Sequence, residues 1–278
     1  MKWKSALGLA VLLVALAIMT GCSTDRHESA HQTDTKLVVF AAASMTESMR
    51  QIAEAYQKEH PNVEIIYNFD SSGTLKQQIQ NGAVCDVFIS AAQKPMNQLD
   101  ASKDEAENPE QLDVVLQGTR VDLLANTVVL AVPEGNPSHI AGFDDMMEKL
   151  KSRSIRIAMG NRDVPVGQYA ENILSYYGVD EQQAAAQGCI TYGSNVKEVT
   201  TQIREGSADC GIIYSTDAHS AGLQYVDEAA ETMCGQVVYP AAVMKTSANQ
   251  EEARAFLAYL QGDQAMAVFE DTGFRKAG

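Results

Sequence analysis

Short apolar runs and helical-period stretches alternate along most of this chain. Residues 37–41 are a continuous apolar run of strand length. Met49, Ile52, Ala53 and Tyr56 then recur at helical spacing, predicting a helix over 46–60 that Pro61 and Asn62 end. Residues 63–68 predict a strand, 74–81 a helix and 84–90 a further strand. This βαβαβ order predicts a parallel sheet with helices on both faces. Residues 93–121 are charged and irregular and predict helical segments. A strand follows at 127–133, then a loop and a helix reaching Lys151.

A second set of the same kind comes next. Strands are predicted at 155–159, 190–192 and 210–214, with helices at 167–177 and 196–206 between them. A strand at 237–244 is broken by Pro240, and helices at 251–260 and 264–270 close the chain near Gly273 and Phe274. No internal repeat is visible, yet the two βαβ sets predict two lobes of similar architecture. The chain is expected to cross between them near 122–130 and to return near 235–241. Lobe 1 is drawn as 36–123 plus 238–278, and lobe 2 as 124–237. Ligands of open α/β sheets sit beyond the carboxyl ends of the strands, so the site is expected in the cleft between the lobes.

The start of the chain reads differently. Lys2 and Lys4 precede an almost wholly apolar stretch to Met19. It is short for a membrane span of ~20 residues and follows a basic start, so residues 1–21 read as a secretory signal. Gly21-Cys22 resembles a lipoprotein cleavage site, although Met19 stands where Leu is commoner. Acylated Cys22 would then anchor the mature chain, with residues 22–35 as a polar tether. His27-Glu28-Ser29-Ala30-His31 in that tether matches a zinc-protease pattern. That chemistry needs a buried helix, a third ligand and a cleft, and this stretch has no apolar face, so a chance match is the better reading.

Charge limits the partners. The chain carries a net charge of −15. Losing Lys2 and Lys4 with the signal, and no acid, moves this to −17. Nucleic acid and anionic membrane surfaces are disfavoured, and an anionic ligand could be held only by short-range donors. Beyond Cys22 the cysteines are Cys85, Cys189, Cys210 and Cys234. An exported protein permits disulfides, and four cysteines allow three pairings. Cys189 and Cys210 each begin an apolar run, which allows a bridge but favours simply buried small residues.

Candidate chemistry lies in four turns that each link a strand to a helix start. They centre on Ala43-Ser44-Met45-Thr46, Ser71-Ser72-Gly73-Thr74, Val164-Pro165-Val166-Gly167 and Gly193-Ser194-Asn195-Val196. Helix starts leave N–H groups unpaired and carry partial positive charge. Several aimed at one point make an anion site without Lys or Arg. Each residue also has a plainer role. Ser44 with Glu47 three residues on reads as a capping box, and Ser72 and Thr74 are ordinary helix-start residues. Val166 and Val196 could act only through their N–H groups. Tyr214 ends an apolar strand, where a phenol either packs or points into a cleft. The shared position of these neutral donors argues for a site.

These segments resemble the molybdate-binding proteins of ABC importers. The likeness runs from about residue 36 to residue 275. It is carried by Phe40-Ala41-Ala42-Ala43-Ser44-Met45-Thr46, Ser71-Ser72-Gly73-Thr74-Leu75, Asp86-Val87-Phe88-Ile89-Ser90-Ala91, Val164-Pro165-Val166-Gly167, Gly211-Ile212-Ile213-Tyr214-Ser215-Thr216-Asp217-Ala218, Tyr239-Pro240 and Gly273-Phe274. The resemblance implies an α/β, periplasmic-binding-protein-like fold. Each of its two lobes is a mostly parallel sheet flanked by helices, closing on a tetrahedral oxyanion. It implies hydroxyl and backbone bonds from Ser44 and Ser72, N–H bonds from Val166 and Val196, and a hydroxyl bond from Tyr214. It further implies molybdate, with tungstate, as ligand, and a membrane permease as partner. The protein would act outside the cytoplasm as a lipid-anchored monomer, with no cofactor, no cation site and no catalytic residue. Asp70 and Arg162 depart from the family pattern; Asp70 reads as a cap of the 71–74 turn. Sulfate or phosphate are the alternative ligands. A serine hydrolase is the alternative class, but no histidine lies in the four turns and no G-x-S-x-G elbow exists.

Overall fold

A computed structural model describes residues 35–278 of the chain. β1 (Thr35–Ala42) passes through a short 3-10 turn (Ala43–Met45) into α1 (Thr46–Glu59). β2 (Val63–Asp70), α2 (Ser72–Gln80), β3 (Val87–Ile89) and α3 (Gln93–Asn97) follow. β4 (Val121–Asn126) and β5 (Val128–Val132) are separated by Thr127 alone. Then come α4 (Phe143–Lys151), β6 (Ile157–Gly160), α5 (Pro165–Tyr176), α6 (Glu181–Ala186), β7 (Ile190–Gly193), α7 (Val196–Arg204), β8 (Cys210–Tyr214), α8 (Ser215–Ala221) and β9 (Gln224–Glu228). The chain closes with α9 (Glu231–Cys234), β10 (Val237–Val243), α10 (Gln250–Leu260), α11 (Asp263–Asp271) and β11 (Arg275–Lys276).

The strands form two sheets. One is ordered β11-β4-β10-β3-β1-β2 and the other β7-β6-β8-β5-β9. β1 runs parallel to β2 and β3, and β6 runs parallel to β7 and β8. β10 is antiparallel to β3 and β4, and β5 is antiparallel to β8 and β9. The sheets are therefore mixed, for a topological reason. β5 and β10 are the strands that arrive from the other sheet. Each enters at the end where the parallel strands finish, so each must run against them. All five residues of β5 are buried, as expected of a strand covered on both faces. The change of sheet falls at Thr127, and the return lies between β9 and β10.

Residues 93–121 depart from the sequence expectation of helical segments. Only α3 forms there. Side-chain bonds hold the rest in turns: Asp100 Oδ1 accepts from Ser102 N–H at 2.9 Å, and Asn108 donates to the carbonyls of Asp100 and Leu112. Asp and Asn offer the backbone partners that compete with a helix ladder. The four cysteines Cys85, Cys189, Cys210 and Cys234 are free and buried. The signal, Cys22, the tether and the histidine pattern at 27–31 lie outside the described residues, apart from Thr35, which opens β1. Among the described residues no helix is long and apolar enough to cross a membrane.

Candidate functional site

The first helix start is α2. Ser71 is its cap, its Oγ accepting from Thr74 N–H at 3.1 Å. Asp70, expected to cap this turn, instead accepts the Ser71 N–H at 2.7 Å. Ser72 is fully buried, and its Oγ accepts from Ala91 N–H at 2.9 Å. A hydroxyl has one proton, and that of Ser72 is left to donate. At α7, Asn195 Oδ1 accepts from the N–H groups of Lys197 and Glu198, and Val196 precedes them uncapped. At α5, Pro165 takes the first helical position, where its missing N–H costs nothing. Val166 follows with no side-chain cap. The N–H groups of Ser72, Val166 and Val196 thus find no acceptor among the described residues, and all three residues are buried.

The capping box expected at Ser44 does not form. The 3-10 turn carries the chain one residue further, so Met45 stands at the α1 cap position with no side-chain bond. Ser44 Oγ lies 2.9 Å from Tyr239 Oη instead, and the Glu47 carboxylate reaches Lys197 Nζ at 2.8 Å. Tyr214 closes β8 at 1% exposure, and its hydroxyl has no partner among the described residues. Burial raises this phenol well above its ordinary range, so it stays a neutral donor. Arg162 is exposed.

Contacts between the sheets draw these groups together. Gly73 N–H, next to Ser72, donates to Asp163 O at 3.2 Å, three residues before Val166. α7 packs against the 3-10 turn that carries Ser44. The Tyr214 and Tyr239 rings meet edge to face at 5.9 Å, and the Tyr239 hydroxyl bonds Ser44. A cleft of about 360 Å³ opens beside Ser44, walled also by Thr216, His219, Asp271 and Phe274. A larger hollow of about 530 Å³ lies along the crossing strands and includes none of the five candidates, and of the five only Ser44 lines the smaller cleft.

Electrostatics come from one shared ammonium. Lys197 Nζ lies 3.1 Å from Asp217 Oδ1, near enough to pair though off the line of a hydrogen bond, while binding Glu47. Asp217 is fully buried, and burial pushes its carboxyl up to about 6 against the pull of Lys197. Burial alone would lower the Lys197 ammonium, but the Asp217 charge and the Glu47 bond hold it above its ordinary value. Sequence reasoning did not single out Gly73, Asn126, Lys197, Asp217 or Tyr239 for a role. The doublet Tyr239-Pro240 was the available signal. Pro240 sits at the register shift of β10 against β4, the defect a proline needs inside a strand.

Two lobes, a cleft between them and several unpaired donors on buried residues fit a solute receptor. Residues 37–275 match the family described as bacterial extracellular solute-binding protein, and this chain belongs to it. It is 32% identical over 264 residues to the putative ABC transporter substrate-binding lipoprotein YvgL of Bacillus subtilis, covering 94% of this chain and 95% of that one. It is 33% identical over 245 residues to the molybdate-binding protein ModA of Escherichia coli, covering 86% and 88%. The substrate binding domain of a putative molybdenum ABC transporter from Clostridium difficile superposes with a TM-score of 0.63 at 31% identity, covering 88% of this chain and all of that one. The family is one of binding proteins, not enzymes.

Proposed function

We propose that this protein captures molybdate, and tungstate by the same chemistry, and delivers it to the permease of an ABC importer. The observation that carries the reading is the set of unpaired buried donors: the N–H groups of Ser72, Val166 and Val196 and the Tyr214 hydroxyl. A buried polar group without a partner costs ~1–3 kcal/mol, and a fully ionised tetrahedral oxyanion offers only acceptors. Ser44, Ser72, Val166, Val196 and Tyr214 are the ligand set. The lobes are those drawn from sequence, 36–123 plus 238–278 and 124–237, except that 124–126 join the first with the rest of β4, as 237 does with the rest of β10, and they close on the anion as a hinge. The relatives named for molybdate support the choice of ligand. Residues 1–21 are the export signal. Lipid on Cys22 is the anchor, as the lipoprotein name of the Bacillus relative supports, and the receptor works as a monomer.

Asp70 gives the phosphate reading little, since one of its oxygens is committed to the adjacent N–H. A thermal-shift panel of molybdate, tungstate, sulfate and phosphate tests the proposal. A ligand at a hundred times its dissociation constant stabilises by ~2.7 kcal/mol. Molybdate and tungstate should shift the melting temperature and phosphate should not. An equal or larger phosphate shift would overturn the reading.

A further inference from the structure

Asn126, the last residue of β4, is held in one orientation. Its Oδ1 accepts from Thr127 N–H at 2.8 Å, and a backbone N–H can only donate. The same oxygen accepts from Ser215 Oγ at 3.1 Å. The amide nitrogen therefore faces the other way and donates, to Thr216 Oγ1 at 2.9 Å and to Tyr239 Oη at 3.2 Å.

This settles a second orientation. Ser44 Oγ and Tyr239 Oη are 2.9 Å apart, and distance alone lets either donate. If Tyr239 accepted from both Asn126 and Ser44, its own proton would be buried with no acceptor among the described residues. With Asn126 donating to it, Tyr239 instead gives its proton to Ser44. Ser44 Oγ accepts, and the Ser44 proton points onward. Tyr239 is 0% exposed and Asn126 and Ser44 are both buried, so bulk water does not reset the chain. Burial also keeps the Tyr239 phenol well above its ordinary range and hence protonated.

We infer that Asn126, acting through Tyr239, fixes Ser44 as a donor and so biases the site toward oxyanions that carry no proton. The inference rests on the oxyanion-receptor reading. Hydrogen phosphate carries one O–H and needs one acceptor. Backbone N–H groups cannot accept, and the Ser72 oxygen already takes the Ala91 N–H, which leaves the Ser44 and Tyr214 hydroxyls as the candidate acceptors. A serine hydroxyl free to rotate could serve as that acceptor. Asn126 disfavours that option by keeping the Ser44 proton turned away from Tyr239, and it acts through Tyr239, so it is a positioning residue.

The test compares sulfate, molybdate and phosphate by calorimetric titration of the full chain at mildly alkaline pH. Sulfate and hydrogen phosphate then carry equal charge and differ by one proton. Tyr239→Phe keeps the ring, breaks the relay and leaves the Ser44 hydroxyl free to turn. Asn126→Asp reverses the relay, since a carboxylate only accepts. The wild type should prefer the unprotonated anions. Tyr239→Phe should narrow the sulfate-to-phosphate ratio by about tenfold, the effect of one hydrogen bond. Asn126→Asp should narrow the ratio further while its charge weakens both anions. If Asn126→Asp does not fold, Tyr239→Phe decides alone. Loss of sulfate and phosphate affinity by the same factor would overturn the inference, because a merely structural role predicts that result. Sulfate binding without molybdate binding would refute the choice of molybdate and leave the ratio to judge the relay. Absence of binding by all three anions would overturn both.

Discussion

Replacing Gly73 with alanine should move binding and folding in opposite directions. Gly73 lies in the first turn of α2 with ordinary helical backbone, and its φ is not positive. Its glycine character comes from the neighbouring lobe instead. A Cβ there would stand 2.2 Å from Asp163 O and 3.0 Å from its carbonyl carbon, where ordinary contact begins at 3.4 Å. The backbone cannot yield locally, because Asp163 O accepts from Gly73 N–H at 3.2 Å. The lobes would have to stay about an ångström further apart at this point. Val166, three residues beyond Asp163, would then fail to reach the anion together with its neighbours. Losing two hydrogen bonds to a charged ligand costs at least ~3 kcal/mol, on the order of a hundredfold in affinity. If the lobes part without ligand, the methyl is freed of Asp163, and Gly to Ala in a helix stabilises by up to ~0.5–1 kcal/mol. Calorimetric titration with molybdate and urea unfolding without ligand measure the two effects. Unchanged affinity in Gly73→Ala would refute the reasoning, and so would parallel losses of affinity and stability.

Other predictions follow from the same contacts. Tyr214→Phe should weaken molybdate binding by ~1.5–3 kcal/mol and leave unfolding without ligand unchanged or slightly harder, because its hydroxyl is unpaired; a clear loss of stability would show that the hydroxyl has a structural partner. Ser72→Ala should cost both affinity and ~1–3 kcal/mol of stability, because it strands the buried Ala91 N–H; unfolding curves matching wild type would contradict this. Asp217, raised from 3.8 to about 6, contributes stability that is present below 3.8 and lost as pH rises through about 6. Wild-type stability should therefore fall relative to Asp217→Asn between about pH 4 and 7, and parallel pH profiles would count against it. Alkylation in denaturant without reductant should label Cys85, Cys189, Cys210 and Cys234, and a protected pair would reveal a bridge.

The layout was legible where local pattern and topology agree. The apolar runs at β1, β6 and β8 and the helical periods of α1 and α7 stand where their spacing puts them. β9 escaped notice because QYVDE is an edge strand with exposed residues and no apolar alternation. β4 escaped because the change of sheet at Thr127 splits one stretch of apolar text into two strands. The donors at Ser72, Val166 and Val196 were readable because a helix start announces itself in sequence. The pairing of Ser44 with Tyr239 spans 195 residues, and no local spacing encodes it. The same holds for Lys197 and Glu47, 150 residues apart. Ser44 shows how a plausible local motif is overridden, since its three-residue spacing to Glu47 met every requirement of a capping box except the 3-10 turn.

The two carboxylates on Lys197 differ in depth, and that difference bears on release. Asp217 lies in the same lobe as Lys197 and is sealed from water, while the Glu47 side chain in the opposite lobe is 45% exposed. Parting the lobes would break only the shallow contact, and solvent would rehydrate both of its ends. The deep charge keeps its counterion throughout, so opening would leave no ion stranded in the interior. For a solute-binding protein that opens and closes, a fastening of this kind registers closure and is easily undone.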